Sequence, residues 1–163
     1  MAISPPASGA RARPITDADL DRMIAIDEVH SGYRRRRFFE KRFASAKRHP
    51  EDFVQVGIEV DRSLCGFAIG RVLRGEFGQN DEIAVLDAIG VDPACPEQHL
   101  GQSLIDELLN ISRRQGVKTL QLQVHWNSHD LLRFFNMSGF QLSPRLALER
   151  QIGELREEVD QDS

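Results

Sequence analysis

The residues best suited to chemistry lie between positions 82 and 104, where Ile89-Gly90-Val91-Asp92-Pro93 leads through Ala94-Cys95-Pro96-Glu97 into Gln98-His99-Leu100-Gly101-Gln102-Ser103-Leu104. An almost continuous apolar run over 82–91 reads as a central strand covered on both faces. Leu100, Leu104, Leu108 and Ile111 recur at helical spacing and predict a helix that ends at Gly116. The loop between them therefore opens a helix. The first N–H groups of a helix lack intrahelical partners, and the helix dipole puts about half a positive charge at that end. Small residues such as Gly101 and Ser103 let an anion approach the main chain closely. A pyrophosphate suits such a cradle.

Carboxylates come next. Strand alternation places Asp87 on the face shared by Ile83, Val85 and Ile89. A carboxylate desolvated among apolar neighbours suits proton removal, directly or through a water. Asp87 is the first candidate for a general base and Glu82 the second, with Asp27 or Glu28 reaching toward a substrate from the first helix. The plainer reading of Asp87 is a structural acid bonded to the backbone or to an arginine. Asp27 reads equally as a solvated acid at the edge of an amphipathic stripe. His125 and Trp126, at the end of a strand, are candidates to line an acceptor pocket, with core packing or surface exposure as the alternatives. His99, His125 and His129 share no carboxylate or thiol at ligand spacing, so no metal is expected.

The elements that must position these groups follow from periodicity and punctuation. Thr16 with Asp19 three residues on announces a first helix carrying Leu20, Met23, Ile24 and Asp27 on one stripe. A second helix over 33–48 buries Phe38, Phe39 and Phe43 and stops before Pro50. Residues 53–60 and 64–73 form a hairpin turning at Asp61-Arg62-Ser63, and Gly75, Gly78 and Asn80 mark the turn into the central strand. Residues 118–124 are the next strand, 128–138 a short helix stopped by Gly139, and 140–142 and 145–148 two short closing strands around Pro144. The crossover from Val91 through a helix to Lys118 requires a parallel pair, whereas runs of adjacent strands require antiparallel pairing. The expected architecture is α/β of the α+β kind: a mixed, mostly antiparallel sheet of about seven strands with a central parallel pair, flanked by about four helices.

A chain of 163 residues and 18.5 kDa fits one domain, and 40% hydrophobic with 28% charged content is that of a soluble globular protein. The expected division is a flexible tail over 1–13, a single domain over 14–152 and an acidic tail over 153–163. No apolar stretch approaches the ~20 residues of a membrane helix, and 1–14 holds no signal-peptide core. Cys65 and Cys95, 30 positions apart and outside any paired-thiol motif, suit a reducing cytoplasm better than a disulfide framework. The net charge of -4 hides an asymmetry, since residues 34–48 carry eight basic side chains and one acid, leaving about -11 for the rest of the chain. A basic patch on an acidic body disfavours nucleic acid as a partner. The run Arg34 to Arg37 reads as a solvated helical face, or as an attractor for an acidic acceptor or a phosphate.

Gln98-x-x-Gly101-x-Ser103 resembles the Arg/Gln-x-x-Gly-x-Gly/Ala acyl-coenzyme A loop of the GCN5-related N-acetyltransferase superfamily. The resemblance extends to Ile-Gly-Val-Asp-Pro before the loop and to Asn127-Ser128 followed by Leu131-Leu132-Arg133-Phe134-Phe135 and Gly139-Phe140, over about residues 14–150. It implies a V-shaped splay between the strands at 83–91 and 118–124, with pantetheine in the gap. Main-chain groups of Ile89, Gly90 and Val91 would hold pantetheine and polarise a thioester. Gln98, His99, Leu100, Gly101, Gln102 and Ser103 would hold the pyrophosphate, Ser128 with Asn127 would meet the pantetheine arm, and Phe135 would flank it. The implied activity is transfer of an acyl group, acetyl above all, from coenzyme A to a primary amine by direct attack. The acceptor, a small molecule, a peptide N-terminus or a protein lysine, stays open, and a homodimer is a family-level expectation.

Three positions depart from the pattern. Phe135 stands where the family often has a tyrosine acid, Gln123 where ribosomal-protein acetyltransferases can carry a glutamate base, and Pro96-Glu97 where small or basic residues are commoner. General acid assistance is worth about 10²–10⁴-fold, and a thiol of pKa near 8.5 leaves acceptably without it. The competing expectation is a non-catalytic acyl-coenzyme A sensor or interaction module on the same scaffold.

Overall fold

The structure, a computed structural model, describes residues 9–75, 78, 80–95 and 99–153. In chain order the elements are β1 Ala10–Arg13, a 3-10 turn Asp17–Asp19, α1 Leu20–Ser31, α2 Arg36–Arg48, a 3-10 turn Pro50–Asp52, β2 Phe53–Val60, β3 Ser63–Leu73, β4 Ile83–Val91, α3 Leu100–Arg114, β5 Thr119–Gln121 and α4 His129–Met137. The described strands form one sheet in the order β1-β2-β3-β4-β5, antiparallel except for the final β4–β5 pair.

Each face of the sheet carries its own core. Met23, Ile24 and Ile26 of α1 and Phe39 of α2 pack with Phe67, Ile69 and Ala88 on one face. Leu100, Leu104, Ile105 and Leu108 of α3 meet Val54, Val56, Ala68, Ala84 and Leu86 on the other. The apolar stripes read from the sequence for α1 and α3 are thus the ones buried, whereas on α4 Phe135 is buried and Leu131 and Leu132, expected inward, are exposed. α1 begins as anticipated: the Thr16 N–H donates to the Asp19 carboxylate at 2.8 Å, one half of a capping box. It ends at Gly32, whose φ of 76° lets the Gly32 N–H reach the Glu28 carbonyl. That left-handed cap delays α2 to Arg36, three residues later than its periodicity suggested.

Two expectations are corrected. The sheet has five strands among the described residues, because 140–142 and 145–148 are irregular; Phe140 packs against the core, but Leu142, Leu146 and Leu148 face solvent, being 88–96% exposed. Residues 10–13, assigned to a flexible tail, are instead the edge strand β1. Its alternation Ala-Arg-Ala-Arg offers only alanine as its apolar member, a weak strand signal, and it is fastened by pairing with β2 and by Arg13, which bonds Glu59 at 2.6 Å and Asp19 at 2.8 Å. Residues 1–8 and 154–163, the rest of the two proposed tails, lie outside the described residues.

The feature that shapes the site is a β-bulge. Ile69 pairs with Ala88 but Gly70 pairs with Leu86, so Asp87 is an extra residue in β4. Gly70 permits it: a Cβ there would lie 2.7 Å from the Val85 carbonyl oxygen. Below the bulge β4 pairs with β5 at Ile83, Ala84 and Val85; beyond it, no described strand pairs with that edge. The parallel pairing therefore ends at Val85 and Gln121, and the rest of β4 runs on without a strand partner on that edge.

Candidate functional site

The unpaired edge of β4 ends at Val91, shortly before α3 in the chain. The Asp92 N–H donates to the Cys65 carbonyl of β3 at 2.7 Å. Because strand amides alternate between edges, the main-chain groups of Val91 and Ile89 face the open side while those of Gly90 face β3. A bond absent from the sequence reading sits on that edge: His30, from the last turn of α1, lies with Nε2 2.6 Å from the Val91 carbonyl oxygen. No local motif announces a contact across 61 positions.

Past Val91 the chain makes a turn, with the Cys95 N–H donating to the Asp92 carbonyl at 3.0 Å and the Ala94 N–H to the Asp92 carboxylate at 2.9 Å. Asp with Pro next to it is the usual opening of such a turn. The Ala94 N–H, aided by Arg22, holds the Asp92 carboxyl below the ordinary carboxylate range. Gln98, with Pro96 and Glu97, lies outside the described residues. His99 takes a left-handed φ of 63° and turns the chain into α3. The first capping bond runs from the Ser103 N–H to the His99 carbonyl at 3.1 Å, so Leu100, Gly101 and Gln102 stand in the first turn, where helical N–H groups lack acceptors. That turn contains no acid. This donor set, three main-chain N–H groups and a helix dipole beside an open strand edge, fits a diphosphate attached to an extended amide-bearing arm.

The side chains in this segment are engaged within the fold itself. A Cβ on Gly101 would meet the Phe134 ring at 3.1 Å, and one on Gly90 would meet Ile26 and Phe67 at 3.0 Å. Both glycines thus allow close packing of neighbouring elements. Gln102 is held by Ser138 and Asp106 at 2.8 Å each, and the Ser103 hydroxyl donates back to the His99 carbonyl. Leu100 is buried in the core. The chemistry available here belongs to the backbone.

Past β5, Ser128 stands at the N-cap position of α4 without a side-chain capping bond, and Asn127 Oδ1 contacts His125 Nδ1. Trp126 stacks beside His125 with 79% of its surface exposed, so the core-packing alternative for it is excluded. Phe135 is buried, edge-on to Phe134 and Phe140 at centroid distances of 5.1 and 5.4 Å.

The candidate carboxylates are all paired. Asp87 does not share a face with Ile89, because the bulge breaks the alternation: Ile89 packs with the α3 core, while Asp87 meets Arg71 at 2.8 and 3.0 Å and Arg42 at 3.1 Å. The apolar surroundings expected for Asp87 are replaced by two guanidiniums, and Arg71 in turn is held more firmly protonated by it. Asp27 is 4% exposed and takes two bonds from Arg35, at 2.8 and 2.5 Å, which overturns its reading as a solvated acid. Glu28 pairs with Arg34 at 3.1 Å and Glu82 with Arg74 at 2.6 Å. The Arg34 to Arg37 run is accordingly mostly neutralised, Arg36 pairing with Asp21 and Glu40; among the described residues Arg37 makes no ion pair. His49, Glu51 and Asp52 bring possible metal-ligand atoms within 4.8 Å of one another at the end of α2, where Arg74 already holds Asp52.

With this geometry in view, the profile of the acetyltransferase (GNAT) family matches residues 18–140, and the chain belongs to that family. The [ribosomal protein bS18]-alanine N-acetyltransferase of Escherichia coli K12 is 30% identical over 101 residues, 62% of each chain, so the present chain spans about three-fifths of that relative's length. Among solved structures, a ribosomal-protein-alanine N-acetyltransferase from Brucella melitensis biovar Abortus 2308 superposes with a TM-score of 0.69 at 16% identity, covering 88% of this chain and 99% of the other. An aminoglycoside antibiotic 6'-N-acetyltransferase from Acinetobacter baumannii gives 0.73 at 13% identity, covering 89% and 100%. At these identities the structural likeness establishes the fold.

Proposed function

We propose that the protein is an acetyl-coenzyme A dependent N-acetyltransferase that transfers the acetyl group to a primary amine by direct attack, without a covalent enzyme intermediate. The observation that carries this reading is the open edge of β4 running into the first turn of α3. The thioester supplies an activated acetyl group whose thiol leaves with a pKa near 8.5. Main-chain groups of Ile89 and Val91 orient the pantetheine amides, and the N–H groups of Leu100, Gly101 and Gln102 hold the pyrophosphate, with Gln98 and His99 before them. Asn127 and Ser128 line the opposite side of the gap, and His125 and Trp126 offer an exposed platform for the acceptor.

The pairing of the candidate carboxylates bears on the acceptor. A lysine-like amine of pKa about 10.4 is free base in only ~1 of 2,500 molecules at pH 7, a cost of roughly 4.6 kcal/mol, whereas an α-amine near 7.7–8.0 is free in about 1 of 10. Asp27, Glu28, Glu82 and Asp87 are all tied to arginines, and Gln123 and Phe135 offer no acid–base group. A peptide N-terminus is therefore the acceptor class the site serves most easily, in keeping with the name of the bS18-alanine relative. Thiol release should be followed with acetyl-coenzyme A and three acceptors: a peptide beginning with a free alanine, the same peptide N-terminally blocked with an internal lysine, and a polyamine. Turnover with the free N-terminus at least tenfold above the others supports the reading. Tight acetyl-coenzyme A binding with no turnover on any amine would favour the sensor, for which the paired carboxylates already speak.

A further inference from the structure

The two cysteines, 30 positions apart in sequence, meet in the fold: Cys65 Sγ and Cys95 Sγ lie 2.7 Å apart, little more than the ~2.05 Å of a disulfide bond, and both are free thiols. They meet because the turn at Asp92 folds the chain back over the start of β3. The Asp92 N–H bonds the Cys65 carbonyl, the Cys95 N–H bonds the Asp92 carbonyl, and Arg22 of α1 grips both the Leu64 carbonyl and the Asp92 carboxylate. The sulfurs are thus held by three elements, α1, β3 and the turn, at the near end of the loop that reaches His99 and α3. Cys65 is buried, which pushes its thiol up to about 12, while Cys95 is half-exposed. The charged groups facing the pair are Arg22 and Asp92.

We propose that Cys65 and Cys95 form a thiol–disulfide site that takes its oxidising equivalents from a low-molecular-weight disulfide and, when closed, ties the loop before α3 to β3. The Cys95 thiolate attacks one sulfur of the small disulfide, a mixed disulfide forms, and one small thiolate leaves. The Cys65 sulfur then attacks the Cys95 sulfur, the protein disulfide forms, and the second small thiolate leaves. Two protein thiols are oxidised, one small disulfide is reduced to two thiols, and the two protons pass to those thiols. Disulfides of this reversible kind are the ones met in reducing compartments. Accessibility sets the order: Cys95 reacts first and Cys65 resolves.

The test uses the full-length native protein incubated with oxidised glutathione, followed by intact-mass measurement and peptide mapping. The expected result is loss of both thiols together, no retained glutathione, a Cys65–Cys95 crosslinked peptide, and reversal by dithiothreitol. Closing a loop of this length should raise Tm by roughly 5–10 °C. Cys65→Ser, lacking the resolving thiol, should retain one glutathione on Cys95, and Cys95→Ser should react at least tenfold more slowly. Stable glutathionylation of wild-type Cys95 with Cys65 still reduced would overturn the proposal, as would a disulfide between two chains or thiols that react only in urea.

Discussion

Asp27, Glu28 and Asp87 on the α1–α2 side of the sheet, and Glu82 just before β4, are each answered by arginine, whereas along the open edge of β4 and the first turn of α3 the groups on offer are main-chain ones. Side chains with ionisable character have been spent on holding α1, α2 and β3 together, and the cofactor side is left to backbone geometry. The contrast teaches that a family resemblance in the loop and a plausible acid in the strand are separate claims. The first depends on where strands part, the second on what faces the acid.

The largest effect expected on the paired side is at Asp87. Replacing it by Asn leaves Arg71 and Arg42 facing a neutral amide and should destabilise the fold by about 3 kcal/mol, a Tm drop of roughly 6–12 °C. Below the new Tm the pH dependence of kcat should match wild type. An unchanged Tm with kcat lost most at low pH would return Asp87 to the role of base.

A smaller effect is expected at the ion pair that ties β1 to the start of α1. Arg13 holds the Asp19 carboxyl below the ordinary carboxylate range despite opposing burial. A depressed folded-state pKa contributes stability that is full above the unfolded value near 4 and is lost as pH falls through the folded value. Asp19→Asn should therefore cost about 1–2 kcal/mol at pH 7, and the gap between the two proteins should close below about pH 4 in thermal melts. A gap that does not narrow at all between pH 4 and pH 2 would mean that the lost packing, not the charge, was responsible.

The smallest effect on stability is expected at Trp126, which is largely exposed. Trp126→Ala should move stability by less than about 0.5 kcal/mol. If the platform receives the acceptor, KM for the amine should rise severalfold while KM for acetyl-coenzyme A stays put. Equal changes in both would detach this residue from the acceptor.

Much of this contrast was legible in the sequence and some was not, for identifiable reasons. The alternation of Val54, Val56, Ile58 and Val60, the apolar run of β4 and the stripe Leu100, Leu104, Leu108 are local patterns, and each lies where its period required. Asp61-Arg62 was legible as a turn even without glycine, both residues taking positive φ. The bulge was not, because an extra residue in one strand shows only against its partner, and it alone moved Asp87 off the face shared with Ile89. The arginine partners of Asp27 and Asp87 lie 8 and 16 positions away, and the Cys65–Cys95 approach spans 30, so no spacing rule reaches them. The leucines at 142, 146 and 148 misled in the other direction: they read as closing strands, but they pair with no described strand and stay exposed, so their apolar pattern buries nothing.

The account rests on main-chain groups at the open edge of β4, and Val91 tests it most directly. Its N–H faces away from β3, so Val91→Pro removes a donor from the edge without breaking the ladder. Titration calorimetry of the wild type with acetyl-coenzyme A should show saturable one-site binding that weakens with salt. The variant, with an unchanged circular dichroism spectrum, should bind at least 30-fold more weakly. Equal affinity in both proteins, or no heat from the wild type at millimolar ligand, would contradict the claim.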